Sequence, residues 1–459
     1  MPAHHSTWAL AVLFAGVLIA ALDIAIVGPA LPAVRAAFAL DGRALSWVFS
    51  IYILFYLLGA PLLAKLSDRR GRRTVFSQSL ALFAVGSLIV AVAPTFDVLL
   101  LGRAVQAFGA GGIFPVASAL VADTVAAERR GRTLGLMGAV FGLAFLLGPL
   151  LGGLLLRWGW QWLFLINVPI AILVIALSQR VLPQSVAERP GELDLLGAAL
   201  LCMVLAASVW GISQIDSQAP LASGLSIRVW PFGVLVLVAA PAFWAVENRA
   251  ADPVMHPDLF RSTQLRIVGA IALAAGLVEA GMIFLPDFAV LGFGVAIPAA
   301  SLMMLPLVVT LMVGAPLAGL LLDRSGPRIV LQGGLMFTIG GLALFALAPL
   351  TLATFYGAAA AIGLGLSGLL GAPLRYITLQ EAGEERKGAG QGLLTLFLSV
   401  GQLLGAAFIG GVVESSASEL GGYRSALLVV ALACAVALVL SAALRGRDAA
   451  RDTPRTDEA

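Results

Sequence analysis

The chain has 459 residues, of which 60% are hydrophobic and 12% charged, with 28 Lys and Arg against 25 Asp and Glu and a net charge of +3. Soluble domains carry about 25% charged residues, so this chain lacks the polar surface a water-soluble enzyme needs, and its mean hydropathy of +1.00 agrees. The slight basic excess does not point to nucleic acid, because the Lys and Arg residues lie in short segments beside long apolar runs, which is the topology pattern of a membrane protein.

A membrane-spanning helix needs about 20 mostly apolar residues. The sequence predicts fourteen, over roughly residues 8–33, 45–66, 74–93, 97–121, 133–156, 161–182, 193–213, 229–247, 265–288, 296–322, 328–348, 352–378, 390–413 and 423–444. Runs this long, with no alternation, exclude a membrane β-barrel. The first run contains Asp23 and no small-residue cleavage site, so it reads as a span and not as a signal peptide. Cys202 and Cys434 sit inside apolar runs and the three His in polar segments, so no disulfide, metal site or catalytic constellation is expected. With the N-terminus inside, the cytoplasmic segments hold 21 of the 28 Lys and Arg residues and the outer segments 5. That bias places both termini in the cytoplasm and the chain in the plasma (inner) membrane.

The chain is internally duplicated. Gly59–Arg73 reads GAPLLAKLSDRRGRR and Gly314–Arg328 reads GAPLAGLLLDRSGPR; Pro61 and Pro316, Asp68 and Asp323, Gly71 and Gly326, and Arg73 and Arg328 are each 255 apart. Glu128–Gly131 is echoed by Glu385–Gly388 at an offset of 257, and Gly148 by Gly405, although Pro149 meets Ala406. One fixed offset across several features marks a repeat. The expected organisation is a six-helix bundle over 1–183, a two-helix insertion with linkers over 184–263, a second six-helix bundle over 264–445, and a short charged disordered tail over 446–459.

Four groups of residues carry candidate function. In the hairpin after the second span, Gly71 permits a turn where a side chain would clash, and Arg69, Arg70, Arg72 and Arg73 suit the anionic inner leaflet. Asp68 can bond to an Arg of its own loop, or face the positive N-terminus of a helix from the other half. The second case makes the hairpin a conformational latch, the first a tight turn. Asp323 and Arg324 repeat the pattern, with Ser325 and Pro327 replacing basic residues, so a weaker latch is expected there.

Asp23 and Glu279 each lie near the middle of the first span of their half, 256 residues apart. A charge at mid-membrane costs at least about 2.5–3.5 kcal/mol, so such residues usually face a cavity and carry ions or protons. The alternative is a carboxylate fixed by hydrogen bonds for packing. Arg103 could pair with Asp23 or bond to backbone carbonyls, and Gln106 lies about one turn away on the same face. Arg375, nearer a helix end, reads as snorkelling.

In the fifth span Gly148, Gly152 and Gly153 leave a flat face for close helix approach, and Pro149 removes a backbone hydrogen bond. The two together suggest a gate at a moving interface. Tyr52, Phe55, Phe141, Phe145, Phe284 and Phe288 could line an apolar cavity, while Trp158, Trp160 and Trp162 are expected at the outer interface.

These motifs resemble the major facilitator superfamily, and within it the fourteen-helix drug:proton antiporter branch. Lys65–Arg73, Arg103–Gln106 with Gly109, Gly148–Gly153, Leu22–Pro32 and Trp162–Pro169 carry the likeness, with Ala64 and Gly28 standing where that branch usually has Gly and Asn. The resemblance implies two six-helix bundles, each of 3+3 inverted repeats, working by alternating access. It implies a monomeric exporter that exchanges an apolar or cationic small molecule for protons, with the proton gradient in place of any cofactor; a lipid or glycolipid cargo is the alternative.

Overall fold

The computed structural model describes residues 3–445 apart from 126, 184–193, 217, 251–252, 254, 256 and 383–386. All but Pro183 of the predicted linker Pro183–Glu192, and the predicted tail 446–459, therefore lie outside the described residues, as do the side chains of Phe141 and Phe145. Among the described residues every regular element is a helix. In chain order these are α1 (Ala3–Phe38), α2 (Gly42–Arg70), α3 (Arg72–Ala91), α4 (Phe96–Thr124), α5 (Ala127–Leu155), α6 (Gln161–Leu165), α7 (Asn167–Val181), α8 (Leu195–Ser213), α9 (Pro220–Gly224) and α10 (Trp230–Glu247). After a 3-10 turn at Pro257–Arg261 follow α11 (Thr263–Ile283), α12 (Leu285–Phe293), α13 (Ile297–Leu302), α14 (Leu305–Ser325), α15 (Pro327–Leu347), α16 (Leu352–Leu370), α17 (Ala372–Ala382), α18 (Lys387–Ser415) and α19 (Glu419–Ser441).

Thirteen described segments are long and apolar enough to cross a membrane, and α5 contributes a shorter apolar stretch, Leu146–Leu155. Four predicted spans that read as continuous are broken. The breaks fall at Ile166, Phe284, Met303–Met304 and Gly371, and each is followed two or three residues later by a proline: Pro169, Pro286, Pro306 and Pro373. Proline lacks an N–H, and its ring clashes with the carbonyl four residues back, so the turn before it opens. Pro61, Pro115 and Pro149 lie inside α2, α4 and α5 without dividing them, so a proline allows a break without imposing one.

The two copies of the hairpin share one backbone solution. Gly71 has φ 89° and Gly326 φ 81°, a region open to glycine but strained for other residues.

The chain packs as two compact units. One comprises residues 1–254, 282–303 and 406–419; the other comprises 255–281, 304–405 and 420–459. This division follows packing, whereas the predicted boundaries at 183 and 264 follow the repeat. In the first unit, α3 and α4 approach closely where a Cβ on Gly86 would collide with the backbone nitrogen of Gln106. The insertion helices pack on each other and on α2, through Trp210 rings 5.7 Å from Trp47 and 5.9 Å from Phe232. Trp158 and Trp162 are exposed, but Trp160 is buried against Phe38 and Phe164, so of the three only Trp158 and Trp162 are placed to anchor an interface. In the second unit α15 and α16 meet edge-on through Phe345 and Phe355, 5.2 Å apart.

Gly86 sets the distance at which the central polar side chains meet. Replacing Gly86 with Leu should force α3 from α4, costing at least the ~1–3 kcal/mol typical of overpacking. The expected result is a clear fall in apparent Tm in detergent, read by thermal unfolding.

Candidate functional site

Asp23, Arg103, Gln106 and Asn167 form one cluster in the first unit, and all four are fully buried. Five helices supply it. Asp23 comes from the middle of α1, Arg103 and Gln106 from one face of α4, Ser87 from α3, and Val48 and Tyr52 from α2. Asn167 is the first residue of α7, beside the break that Pro169 follows.

The hydrogen bonds leave few groups idle. Arg103 Nη1 donates to Asp23 Oδ2 at 2.7 Å and to Gln106 Oε1 at 2.7 Å. Gln106 Nε2 donates to Asp23 Oδ1 at 2.7 Å and to Ser87 Oγ at 2.7 Å. Asn167 Nδ2 adds a second donor to Asp23 Oδ1 at 3.1 Å, and Arg103 Nε donates to the Val48 carbonyl at 3.3 Å. The Arg103 guanidinium lies 4.2 Å from the Tyr52 ring centroid and 5.7 Å from that of Phe164, within the range of cation–π attraction. Among the described residues, Arg103 Nη2, Asn167 Oδ1 and the Tyr52 hydroxyl have no hydrogen-bond partner.

The predicted Asp23–Arg103 pair is therefore formed, and Arg103 also reaches a carbonyl, that of α2 and not of α1. Glu279 stands apart from this cluster. It is partly buried in α11 of the second unit, and its carboxylate accepts one hydrogen bond, from Gln402 Nε2 of α18 at 2.9 Å. α11 and α18 come this close because neither Gly276 nor Gly401 carries a side chain: a Cβ on Gly401 would lie 3.0 Å from Gly276 Cα.

At the hairpin, Arg72 binds Asp123 at 3.0 Å and Asp68 at 3.5 Å. Arg73 donates to the carbonyls of Gln179 and Leu182, at 3.2 and 3.3 Å, at the C-terminal end of α7, where a cation complements the helix dipole. Asp68 thus pairs inside its own unit, the first of its two expected options. Arg69, Asp323 and Arg324 are exposed.

The fifth-span glycines sit at close contacts. A Cβ on Gly148 would lie 2.7 Å from the Ala25 carbonyl, on Gly152 2.6 Å from Pro29 Cβ, and on Gly153 2.8 Å from Leu302 Cδ2. Gly405, the repeat partner of Gly148, meets α11 in the same way, 2.9 Å from Ala280 Cβ. Of the predicted cavity aromatics, Tyr52, Phe284 and Phe288 are buried and Phe55 is partly buried.

Sequence reasoning missed Asn167, Ser87, Asp123 and Gln402 as functional partners. Asn167 and Gln402 had a readable signal, a lone amide in an apolar run. Ser87 and Asp123 had none, because their roles arise only from the packing of α3 on α4 and of α4 beside the hairpin.

A many-spanned helical chain with charged groups buried across helix interfaces is a multi-pass membrane protein. The chain belongs to the Major Facilitator Superfamily, whose family pattern matches residues 13–406 and 267–459. It is 34% identical over 422 residues to the "Uncharacterized MFS-type transporter YfiU" of Bacillus subtilis, covering 90% of this chain and 81% of that protein. It is 29% identical to "Multidrug resistance protein 3" of the same organism, over 73% of this chain and 66% of that one. It is 32% identical to a "Triacylglyceride transporter" of Mycolicibacterium smegmatis, over 78% and 66%. The fold matches the nucleoside transporter NupG with a TM-score of 0.67 at 13% identity, covering 96% of this chain and 99% of that one. Membership makes the chain a multi-pass transporter of small molecules and not an enzyme.

Breaking the buried pair from one side leaves an uncompensated charge, at a cost of about 3–5 kcal/mol. Asp23→Asn should therefore lower the apparent Tm strongly. Adding Arg103→Gln to Asp23→Asn should recover much of the loss, a coupling that a double-mutant cycle of thermal unfolding would read.

Proposed function

We propose that the chain is a proton-coupled exporter of the multidrug type, moving apolar or cationic small molecules out of the cell by alternating access between its two six-helix halves. The carrying observation is the difference between the two acids at matching repeat positions. Asp23 is held by Arg103, Gln106 and Asn167. Glu279, at 23 plus 256, has Gln402 as its one side-chain partner among the described residues. The repeat supplies no second Arg103, since 103 plus 255 and 103 plus 256 fall on Ala358 and Ala359.

An acid without a fixed cation can exchange a proton for a cationic substrate at one carboxylate. Glu279 is thus the exchanging group, and the Asp23 cluster the charged anchor of the first half that responds when a proton arrives. The close face at Gly148–Gly153 serves as gate in the same cycle, and the hairpin serves as latch in the state in which Asp68 leaves Arg72 for a helix N-terminus of the other half. Resistance-type names among relatives support this reading.

The second reading keeps the fold and changes the cargo to a lipid or glycolipid. It is favoured by the similarity to a triacylglyceride transporter.

The test is transport in proteoliposomes under an imposed pH gradient, with a lipophilic cationic dye in one series and a labelled triacylglyceride in the other. Glu279→Gln should reduce gradient-driven dye transport at least about tenfold, as expected when the coupling charge is removed, while sparing dye exchange without a gradient. Full gradient-driven transport by both Glu279→Gln and Asp23→Asn would remove the proton-coupling assignment. Transport of the lipid alone would select the second reading.

A further inference from the structure

Three loop regions far apart in sequence meet at one end of the first compact unit. Arg35, at the end of α1, binds Asp287 of α12 at 2.8 Å and also pairs with Glu419, the first residue of α19. Arg35 and Asp287 side chains are only 15% and 3% exposed, while that of Glu419 is 44% exposed. One guanidinium thus joins two carboxylates carried by different helices of the second repeat. Beside it, the first backbone N–H of α2, at Gly42, donates to Glu414 Oε2 of α18 at 3.1 Å, an acid placed at a helix N-terminus where the dipole favours it.

The backbones close the same gap. A Cβ on Gly410 would lie 2.6 Å from the Gly42 carbonyl and 2.6 Å from Ser46 Cβ, and one on Gly42 would lie 2.9 Å from the Gly410 carbonyl. Ser46, beneath this contact, is 1% exposed. Residues 35–42, 287 and 414–419 all fall at the side that the Lys and Arg bias assigns to the outside, the side opposite the Asp68 hairpin. No other part of the site uses these residues.

We propose that Arg35, Asp287, Glu419 and the Glu414–Gly42 contact form an outer latch. It holds α1 and α2 against the outer ends of α12, α18 and α19 and must break before cargo leaves outward. Cutting the bridge lets the outer end open more often, without touching the acids that bind proton or substrate. This inference rests on the alternating-access reading and on the assigned orientation.

The test uses a Ser46→Cys probe in a Cys202→Ser, Cys434→Ala background, with a charged, membrane-impermeant thiol reagent applied to right-side-out and to inverted vesicles. With Arg35 intact, labelling from outside should be slow. Arg35→Gln should speed it about tenfold, corresponding to about 1.4 kcal/mol. Arg35→Lys, which keeps the charge and guards against loss of fold, should stay nearer the background rate, and Arg35→Glu with both Asp287→Arg and Glu419→Lys should restore slow labelling. Equal rates for Arg35 and Arg35→Gln would overturn the latch. Faster labelling from the opposite face alone would overturn the orientation while keeping the contact as a latch of the inner side. Because labelling needs neither dye nor pH gradient, it is independent of whether Glu279 couples protons.

Discussion

The Asp23–Arg103 pair is the constraint around which the first unit is arranged. Taking two charges out of water costs several kcal/mol per ion, and their attraction repays it only when the remaining donors and acceptors are also satisfied. Here that condition recruits four more side chains or carbonyls from four helices. Gln106 bridges the partners, Ser87 turns Gln106, Asn167 completes the carboxylate, and Val48 takes the Arg103 Nε–H. Each recruit fixes a helix position. Ser87 can reach Gln106 only because Gly86, the preceding residue, lets α3 press on the α4 backbone, and Asn167 is available because the sixth span opens ahead of Pro169. The break between α6 and α7 and a missing side chain in α3 both serve to satisfy one buried charge.

The repeat makes the second half a natural control. The same ancestral helix position holds Glu279, yet the positions matching Arg103 are alanines and the position matching Asn167, at 167 plus 256, is Tyr423. The second copy has the acid without the cage. A carboxylate with a single amide neighbour is held far less tightly than one with a guanidinium and two amides, because hydrogen bonds to charged groups are worth about 1.5–3 kcal/mol each. Two acids at matching repeat positions are therefore held unequally, and this inequality divides anchor from exchanging site in the proposed cycle.

Much of the architecture was legible in the sequence because the bilayer admits few solutions. Apolar length gave the spans to within a few residues: the predicted second span 45–66 lies in α2, Gly42–Arg70, and the predicted fourth, 97–121, in α4, Phe96–Thr124. The offset of 255 gave Gly71 and Gly326 the same positive φ. What remained hidden depends on three-dimensional approach. Nothing in the local sequence separates Pro373, which follows a break, from Pro149, which lies in an intact helix, because the outcome depends on which neighbours can satisfy the freed carbonyls. Trp160 reads like Trp158 and Trp162, yet it turns inward against Phe38. Asp123 was silent for the same reason, since only the fold brings the end of α4 to Arg72.

The ion pairs of the first unit are graded by burial, and the grading suits a machine that must change shape. Arg103 and Asp23 are fully buried, Arg35 and Asp287 nearly so, and the Arg72 partners Asp68 and Asp123 are 44% and 40% exposed. Exposed pairs contribute at most about 1 kcal/mol, so they can break and re-form with thermal ease, whereas the central pair cannot separate without a replacement partner. Alternating states must also lie within a few kcal/mol of each other for a ligand or a proton to shift their populations. The exposed Arg72 contacts are therefore the right strength to be made and lost in each cycle, and the Arg35 bridge, with one buried and one exposed carboxylate, stands between them and the centre. The pair at the centre is the right strength to persist, because separating it would leave a buried charge without a partner.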